Sequence, residues 1–318
     1  MSRFVTRRLL QAIPTFFGIT LITFALFRLS PGDPVDLLVF GVPDMTAAQV
    51  AALRHAYGLD QPVPIQYLNW LLRFLHGDFG QSFLYHRPVV EMIGSALPNT
   101  IQLALAALLL ALVIGVPLGA VAARSRGSRL DQAIRIVAVG GHAVPGFWFG
   151  LMFILVLSVQ VPLFPVSGML TLGASQWDIP DRLWHLVGPA LTLSLAGIAN
   201  YSRLMRTEIL DVIRQDFVRT ARAKGLREQS VLMVHALRNA LLPLITGLGG
   251  VLAFLVSGAV IVESVFSWPG MGRLAYEAAR SKDYPIVMAV VVTSSTMLLV
   301  SYILRDIAYS VADPRVRR

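Results

Sequence analysis

The sequence predicts an all-α integral membrane protein with six transmembrane helices and both termini in the cytoplasm. Three observations support this prediction. Of the 318 residues, 55% are hydrophobic and only 14% are charged, with a mean hydropathy of +0.66. Soluble domains carry about 25% charged residues, so this chain has too few polar residues to cover a soluble core. The other two observations are the spacing of charge-free windows and the uneven distribution of arginine and lysine.

Charge-free windows locate the predicted spans, because a helix that crosses a membrane needs about 20 predominantly apolar residues. The third of six such windows, Ile136–Trp177, holds one span at about 136–160, followed by a stretch broken by proline and glycine. The other five windows are Leu9–Phe27, Met92–Ala123, Leu183–Ser202, Asn239–Val262 and Tyr284–Leu304. The first window is longer than the apolar region of a signal peptide and no small-residue cleavage site follows it, so we expect a retained helix.

The basic residues predict the orientation. The N-terminus, segments 124–135 and 203–238, and the C-terminus together hold 19 of the 27 cations and seven of the 18 acids. The opposite side holds eight cations and eleven acids. By the positive-inside rule, the strongly basic side faces the cytoplasm. Excess positive charge can also indicate nucleic-acid binding, but topology accounts for it here, and we expect no nucleic-acid partner.

The sequence offers no arrangement of residues typical of catalysis. It has no cysteine, its six histidines are scattered without a His-Glu-x-x-His pair, and we expect no metal site and no catalytic residue. Neither lysine, Lys224 or Lys282, lies in the Gly-x4-Gly-Lys-Ser/Thr loop that binds nucleotide phosphates. The sequence therefore contains no nucleotide-binding loop of this type.

The segment between the first two spans, residues 30–97, is predicted to contain two external helices. Thr46 and Gln49 form a capping box at the start of the helix Met45–Gly58, and the glycine ends it. The run Tyr67–His76 is aromatic and amphipathic, and we expect it along the outer membrane interface. It either offers a docking surface to an external partner or packs on the protein's own helix bundle.

The cytoplasmic segment 203–240 predicts a protruding helix–turn–helix. An apolar residue recurs every four positions along its first arm, which indicates one apolar face on an otherwise charged helix; these residues are Ile209, Ile213, Phe217 and Ala221. Gly225 stands where a helix ends in the left-handed conformation. A second amphipathic run, Ser230–Ala240, leads into the next span. A hairpin with small residues at its tip is suited to enter a groove on a cytoplasmic protein. The alternative is an ordinary solvated loop that is basic only because of topology, although such a loop needs no regular apolar stripe.

These residues also resemble a known family. Residues 219–226, Arg-Thr-Ala-Arg-Ala-Lys-Gly-Leu, and residues 235–243, His-Ala-Leu-Arg-Asn-Ala-Leu-Leu-Pro, resemble the coupling loop of ABC importer permeases. Arg219 and Arg238 replace the glutamate and proline of the general pattern, as in the dipeptide, oligopeptide and nickel branch. Further motifs follow in the expected order: Pro31-Gly32-Asp33-Pro34, Pro145-Gly146-Phe147-Trp148, residues 262–272 and Asp283-Tyr284-Pro285.

The resemblance implies a type I ABC importer permease fold in a bacterial inner membrane. Residues 1–96 would form the first span and the external loop, residues 97–312 five spans with a coupling loop at about 207–240, and residues 313–318 a cytoplasmic tail. The implied partners are a second homologous permease subunit, two ATP-binding subunits that hold ATP and magnesium, an external substrate-binding protein and the lipid bilayer. Di- or oligopeptides are the expected cargo, with nickel, glutathione or another small solute as alternatives. An ion-coupled secondary transporter is the alternative of a different class, although the charge-free windows contain no acid.

The resemblance and the residues together nominate two sets of functional residues. The first would contact an ATPase and comprises Phe217, Arg219, Thr220, Ala221, Arg222, Ala223, Lys224, Gly225, Leu226 and Arg238. The second would line a translocation path or, equally, hydrogen-bond between helices, and comprises Ser194, Gly197, Asn200, Tyr201 and Glu263. Glu263 is a candidate gate or an ion-pair partner of the external loops. Two Gly-x3-Gly pairs, Gly115/Gly119 and Gly146/Gly150, are predicted to be sites of close helix packing.

Overall fold

The computed structural model of the chain describes residues 2–29, 35, 46–56, 58–175, 177–227, 231, 237–241 and 259–312. Within these ranges the regular structure is helical, apart from one isolated bridge between Gln81 and Pro88. The helices are α1 (Ser2–Leu29), α2 (Ala47–Ala56), α3 (Val63–Leu75), α4 (Val89–Arg124), α5 (Arg129–Ala143), α6 (Gly146–Phe153), α7 (Ile179–Val212), α8 (Asp216–Ala223), α9 (Leu237–Ala240), α10 (Met271–Arg280) and α11 (Tyr284–Ala312). A π-helical segment, Ile154–Gln160, continues α6.

Four helices of the described ranges are long and apolar enough to cross a membrane. They cover Leu10–Leu29, Val89–Arg124, Ile179–Val212 and Tyr284–Ile303, and a fifth span is obtained if α5 and the α6 segment count as one. The predicted span at 239–262 lies mostly outside the described residues, as does the tail at 313–318. The all-α prediction is confirmed, and the count of six spans stays a prediction.

The third predicted span, 136–160, is bent rather than straight. Helix α5 begins at Arg129, and the axis turns by 98° where it meets the α6 segment. Pro145 causes the break, because its ring disfavours helical geometry at the preceding residue and its nitrogen has no hydrogen to donate. Val144 is accordingly extended, with φ −75° and ψ 124°. The proline that the sequence places at the start of a helix therefore also ends the helix before it.

The described chain divides into two compact units, with the divisions inside α4 and α11. One unit comprises Thr100–Pro269 and Val300–Arg318, and the other comprises Ser2–Asn99 and Gly270–Leu299. The first unit contains most of α4, the α5–α6 pair, α7 and α8. The second contains α1, α2, α3 and α10. Both candidate sets of functional residues lie in the first unit, at least as far as the chain is described.

Close packing of α4 on α7 defines the first unit. A β-carbon added to Gly115 would lie 2.9 Å from the Ile198 carbonyl oxygen, and one added to Gly119 would lie 2.5 Å from the carbonyl oxygen of Ser202. Glycine is therefore required at both positions, as the predicted Gly-x3-Gly packing demands. The second predicted pair is only half right. Gly150 packs on Thr192 and Phe266, whereas Gly146 has open space among the described residues.

In the second unit, α3 lies along α1 through a ladder of aromatic rings. Tyr67 contacts Phe24 with ring centroids 5.4 Å apart, and its hydroxyl lies 2.9 Å from the Thr20 hydroxyl. Trp70 stacks on Phe74, whose ring contacts helix α1 in turn. Of the two interpretations of this amphipathic run, the structure therefore favours packing on the protein's own helices. Four apolar side chains on its other face remain exposed, namely Ile65, Leu68, Leu72 and Leu75.

The predicted caps of α2 are confirmed. The side chain of Gln49 accepts a hydrogen bond from the Thr46 amide at 2.8 Å, and the Thr46 hydroxyl accepts one from the Gln49 amide. Gly58 is left-handed, with φ +65°, so the chain reverses after the helix. Across this turn, His55 Nδ1 at the end of α2 lies 2.7 Å from Asp60 Oδ2. The bond raises the pKa of His55 and lowers the pKa of Asp60.

We expect a β-carbon at Gly119 to separate α4 from α7, because it would meet helix backbone rather than a flexible side chain. Overpacking of this kind costs about 1–3 kcal/mol. Gly119→Ala should therefore lower the midpoint of thermal unfolding in detergent. Gly94→Ala in the same helix is the matched control, since its β-carbon meets nothing within 4 Å among the described residues. Equal midpoints for the two variants would contradict the packing.

The His55–Asp60 bond should be confined to a pH window. A raised histidine pKa stabilises the fold below the unfolded pKa and loses that effect as pH rises through the folded pKa. A lowered aspartate pKa stabilises above the unfolded pKa and loses its effect as pH falls through the folded pKa. The bond should therefore persist from below the ordinary aspartate pKa to above the ordinary histidine pKa. NMR titration of labelled histidine should show the His55 pKa falling in Asp60→Asn; an unchanged pKa would refute the pairing.

Candidate functional site

The first arm of the candidate coupling segment is not one continuous helix. Helix α7 ends at Val212, a turn follows, and α8 begins at Asp216 after Gln215, which is extended with φ −76° and ψ 153°. The break shifts the apolar face by one position. Val218 is fully buried and Ala221 is 6% exposed, whereas Phe217 is 39% exposed.

The predicted apolar stripe was therefore wrong at Phe217. A period of four residues can continue only while the helix continues, and here the extended Gln215 resets the helical phase. Ala221 and Val218 pack in one apolar cluster with Ile209 and Val212 of α7, so α8 folds back on the end of the helix that carries it. This cluster fixes α8 on the first unit without using the residues of its outer face.

Helix α8 ends as the sequence predicts. Gly225 is left-handed, with φ +74°. Its N–H donates to the Arg222 carbonyl at 2.9 Å, and the N–H of Leu226 donates to the Ala221 carbonyl at 3.4 Å. These two bonds form the Schellman motif, which satisfies carbonyl groups that the last helical turn would otherwise leave free. A β-carbon at Gly225 would meet no described atom within 4 Å.

The outer face of α8 and its turn is exposed, basic and partly apolar. Its residues are Phe217, Arg219, Thr220, Arg222, Ala223, Lys224, Gly225 and Leu226. Arg219 bonds to Asp216 at 3.3 Å, and both side chains are well exposed. Arg238 lies in α9, and its side chain falls outside the described residues, as does most of the second arm, Ser230–Ala240. A surface of this composition is suited to a protein partner with acidic and apolar groups.

The first unit also contains a buried ion pair that sequence reasoning missed. Asp131 at the start of α5 is 1% exposed, and Arg206 of α7 binds both of its oxygens, at 2.7 and 2.8 Å. The Gly127 amide donates to the same carboxylate at 3.0 Å. The spacing of Ser128 and Asp131 is a helix-start signature that was present in the sequence, and Ser128 does cap α5.

Of the four positions predicted on the fourth span, Gly197 and Tyr201 face α4, Ser194 is buried, and Asn200 is exposed. Ser194 is 1% exposed and bonds to the Leu191 carbonyl, and Tyr201 is 2% exposed. A β-carbon at Gly197 would lie 2.9 Å from Ala111. Asn200 is exposed and accepts a hydrogen bond from Arg203. Their role in a translocation path stays a prediction.

Glu263 lies in the first unit, in the helical residues 259–265. It is fully buried, and its carboxylate accepts a hydrogen bond of 2.6 Å from the Thr100 hydroxyl of α4. The backbone of the same residue accepts a bond from the Trp268 amide at 2.8 Å. The bond to Thr100 joins the end of the fifth predicted span to α4, whereas the Trp268 bond closes the turn that follows the helix. The proposals that Glu263 gates the path or pairs with external loops stay predictions.

Comparison with known families and curated proteins covers the whole chain. Residues 115–318 match the family described as binding-protein-dependent transport system inner membrane component, and residues 1–104 match the family of its N-terminal region. The chain is 42% identical over 317 residues to oligopeptide transport system permease protein AppB of Bacillus subtilis (strain 168), covering 99% of both chains. It is 37% identical over 337 residues to dipeptide transport system permease protein DppB of Escherichia coli (strain K12), covering 100% of this chain and 99% of the relative.

A solved structure shares the fold. A chain of the MetNI methionine ABC transporter in an inward-facing conformation superimposes with a TM-score of 0.55 at 16% identity, covering 70% of this chain and 96% of the other. The apolar helices and the family match identify a multi-pass protein of the inner membrane. The resemblance seen in the sequence is therefore confirmed: this chain belongs to the family of binding-protein-dependent transport system inner membrane components.

Proposed function

We propose that this chain is a membrane-spanning permease subunit of an ATP-driven importer of di- or oligopeptides and forms half of its translocation path. The observation that carries the proposal is the end-to-end similarity to peptide permease proteins, at 37–42% identity with nearly complete coverage of both chains. A relative that shares only the fold would leave the cargo open. Similarity over the whole length of several peptide permeases favours peptide over nickel, glutathione or another small solute.

The proposed assembly contains a second homologous permease subunit, two cytoplasmic ATPase subunits and an external substrate-binding protein. In this assembly the present chain is not an enzyme, and ATP and magnesium bind to the ATPase subunits. The two lysines of this chain support the assignment of ATP binding to other subunits, because neither lies in a phosphate-binding loop sequence. An ion-coupled secondary transporter remains the rival of a different class. It would import with the ATPase subunits removed, whereas the proposed importer would not.

Coupling to the ATPase is proposed to occur through residues 217–238. The apolar cluster that holds Val218 and Ala221 supports this role, because it joins α8 to the end of α7 while leaving the basic outer face exposed. A movement imposed on α8 would then be transmitted to a helix of 34 residues. At about 1.5 Å per residue, such a helix spans about 50 Å, more than the thickness of the hydrocarbon core.

The translocation path is proposed to pass Ser194, Gly197, Asn200, Tyr201 and Glu263. The exposure of Asn200 supports its contact with cargo or with the second permease subunit. The other four positions contact helices of this chain, so they would influence the path through helix packing rather than by direct contact in the conformation seen here.

We expect side chains at position 225 to uncouple import from ATP hydrolysis. Gly225→Asn suits the left-handed conformation, since asparagine adopts positive φ more readily than other side chains, so any effect reports crowding at the surface rather than backbone strain. Gly225→Trp adds more bulk at the same point. In proteoliposomes with the assembled importer, ATP hydrolysis should continue while peptide import falls, and more steeply for tryptophan.

Gly173→Trp is the matched control for these variants. Gly173 also has a positive φ, +86°, and open space around it among the described residues, but it lies in the loop before α7. Import should persist in this control. Normal import by Gly225→Trp would show that this surface does not dock on an ATPase.

A further inference from the structure

The Asp131 carboxylate, which pairs with Arg206, makes more hydrogen bonds than any other buried carboxylate among the described residues outside the predicted spans. Both oxygens accept from the Arg206 guanidinium, Oδ2 also accepts from the Gly127 amide, and Arg135 lies 3.7 Å from Oδ1. The Asp131 amide in turn donates to the Ser128 hydroxyl. A planar guanidinium with two parallel bonds fixes the orientation of its partner as well as the distance to it.

This pair lies where three helices meet. Gly119 of α4 lies against the same turn of α7, since a β-carbon there would be 2.7 Å from Met205 and 3.1 Å from the Arg206 amide nitrogen. Further along, a β-carbon at Gly141 of α5 would lie 3.7 Å from Leu195 of α7. Helices α5 and α7 therefore run side by side in opposite directions, and the ion pair closes the end of their contact that is nearer to α8.

The next two turns of α7 carry α8. Met205, Ile209 and Val212 belong to the same apolar cluster as Val218 and Ala221 of α8. Arg206 thus lies between the residues that support α8 and the part of α7 that packs on α4. Any turning of the end of α7 about its own axis would have to break the two bonds to Asp131.

We propose that Asp131 and Arg206 are positioning residues that make α5 and α7 move together when α8 is displaced. This inference rests on the proposed function, because it assigns a role in transmitting force from the ATPase. Without the pair, α8 can follow the ATPase while α7 turns or slides relative to α5. ATP hydrolysis would then continue with fewer peptides imported for each ATP consumed.

The chemistry of the pair predicts a graded series of variants. Arg206→Lys keeps the charge but loses the two parallel bonds, so it should couple poorly despite a conserved charge. Arg206→Gln loses both the charge and the fork and leaves the Asp131 carboxylate buried without its main partner. Because both residues act as one unit, the double variant Asp131→Asn with Arg206→Gln should be no worse than the Arg206→Gln single variant.

The test is the ratio of peptide imported to ATP hydrolysed by the assembled importer in proteoliposomes, with a labelled alanine tripeptide as the probe. We expect the ratio to fall about fivefold or more in Arg206→Gln, the lower end of typical coupling between sites. Thermal unfolding in detergent is measured alongside to show whether each variant is folded. A purely structural role would lower import and hydrolysis together and leave the ratio unchanged. If Arg206→Gln fails to fold, the ratio measured for Arg206→Lys tests the inference instead.

Arg135→Gln is the matched control. Arg135 is 57% exposed and approaches the same carboxylate without forming the fork, so its removal changes the local charge alone. Its ratio should equal that of the unaltered chain. The inference is overturned if Arg206→Gln and Arg206→Lys keep the normal ratio, or if Arg135→Gln loses it equally. If the unaltered importer imports peptide without ATP, the proposed function itself is overturned.

Discussion

The close approach of α4 and α7 is the constraint on which the rest of the first unit depends. Apolar contact between helices gains little in a bilayer, because lipid tails are as apolar as the side chains they would replace. The helices must instead bring their backbones together, and Gly115 and Gly119 permit this where any side chain would meet a carbonyl oxygen of α7. Helix α5 packs beside α7, and α8 packs on the end of α7.

Local signals in the sequence predicted local structure well. Thr46 with Gln49 marked the start of α2, Gly225 marked the end of α8, and the first Gly-x3-Gly pair marked the packing of α4. Each of these depends on a few neighbouring residues or on the absence of a side chain. They can therefore be inferred without knowing the rest of the fold.

Features that depend on distant residues or on the phase of a helix were not predicted. The stripe through Phe217 assumed an unbroken helix, and the extended Gln215 moved Val218 into the core instead. The 98° bend shows that Pro145 acts on the helix before it as well as the one after. The pairing of Asp131 with Arg206 joins positions 75 residues apart, and no local pattern around either residue predicts it.

The proposed coupling to the ATPase requires α8 and α7 to move together as one rigid lever. Because the chain has no cysteine, spin labels can be attached to Trp184→Cys, near the far end of α7, and Arg227→Cys, just beyond α8. Pulsed electron paramagnetic resonance on the assembled importer should give the same distance distribution with and without ATP. A distribution that shifts or broadens when ATP binds would contradict the lever.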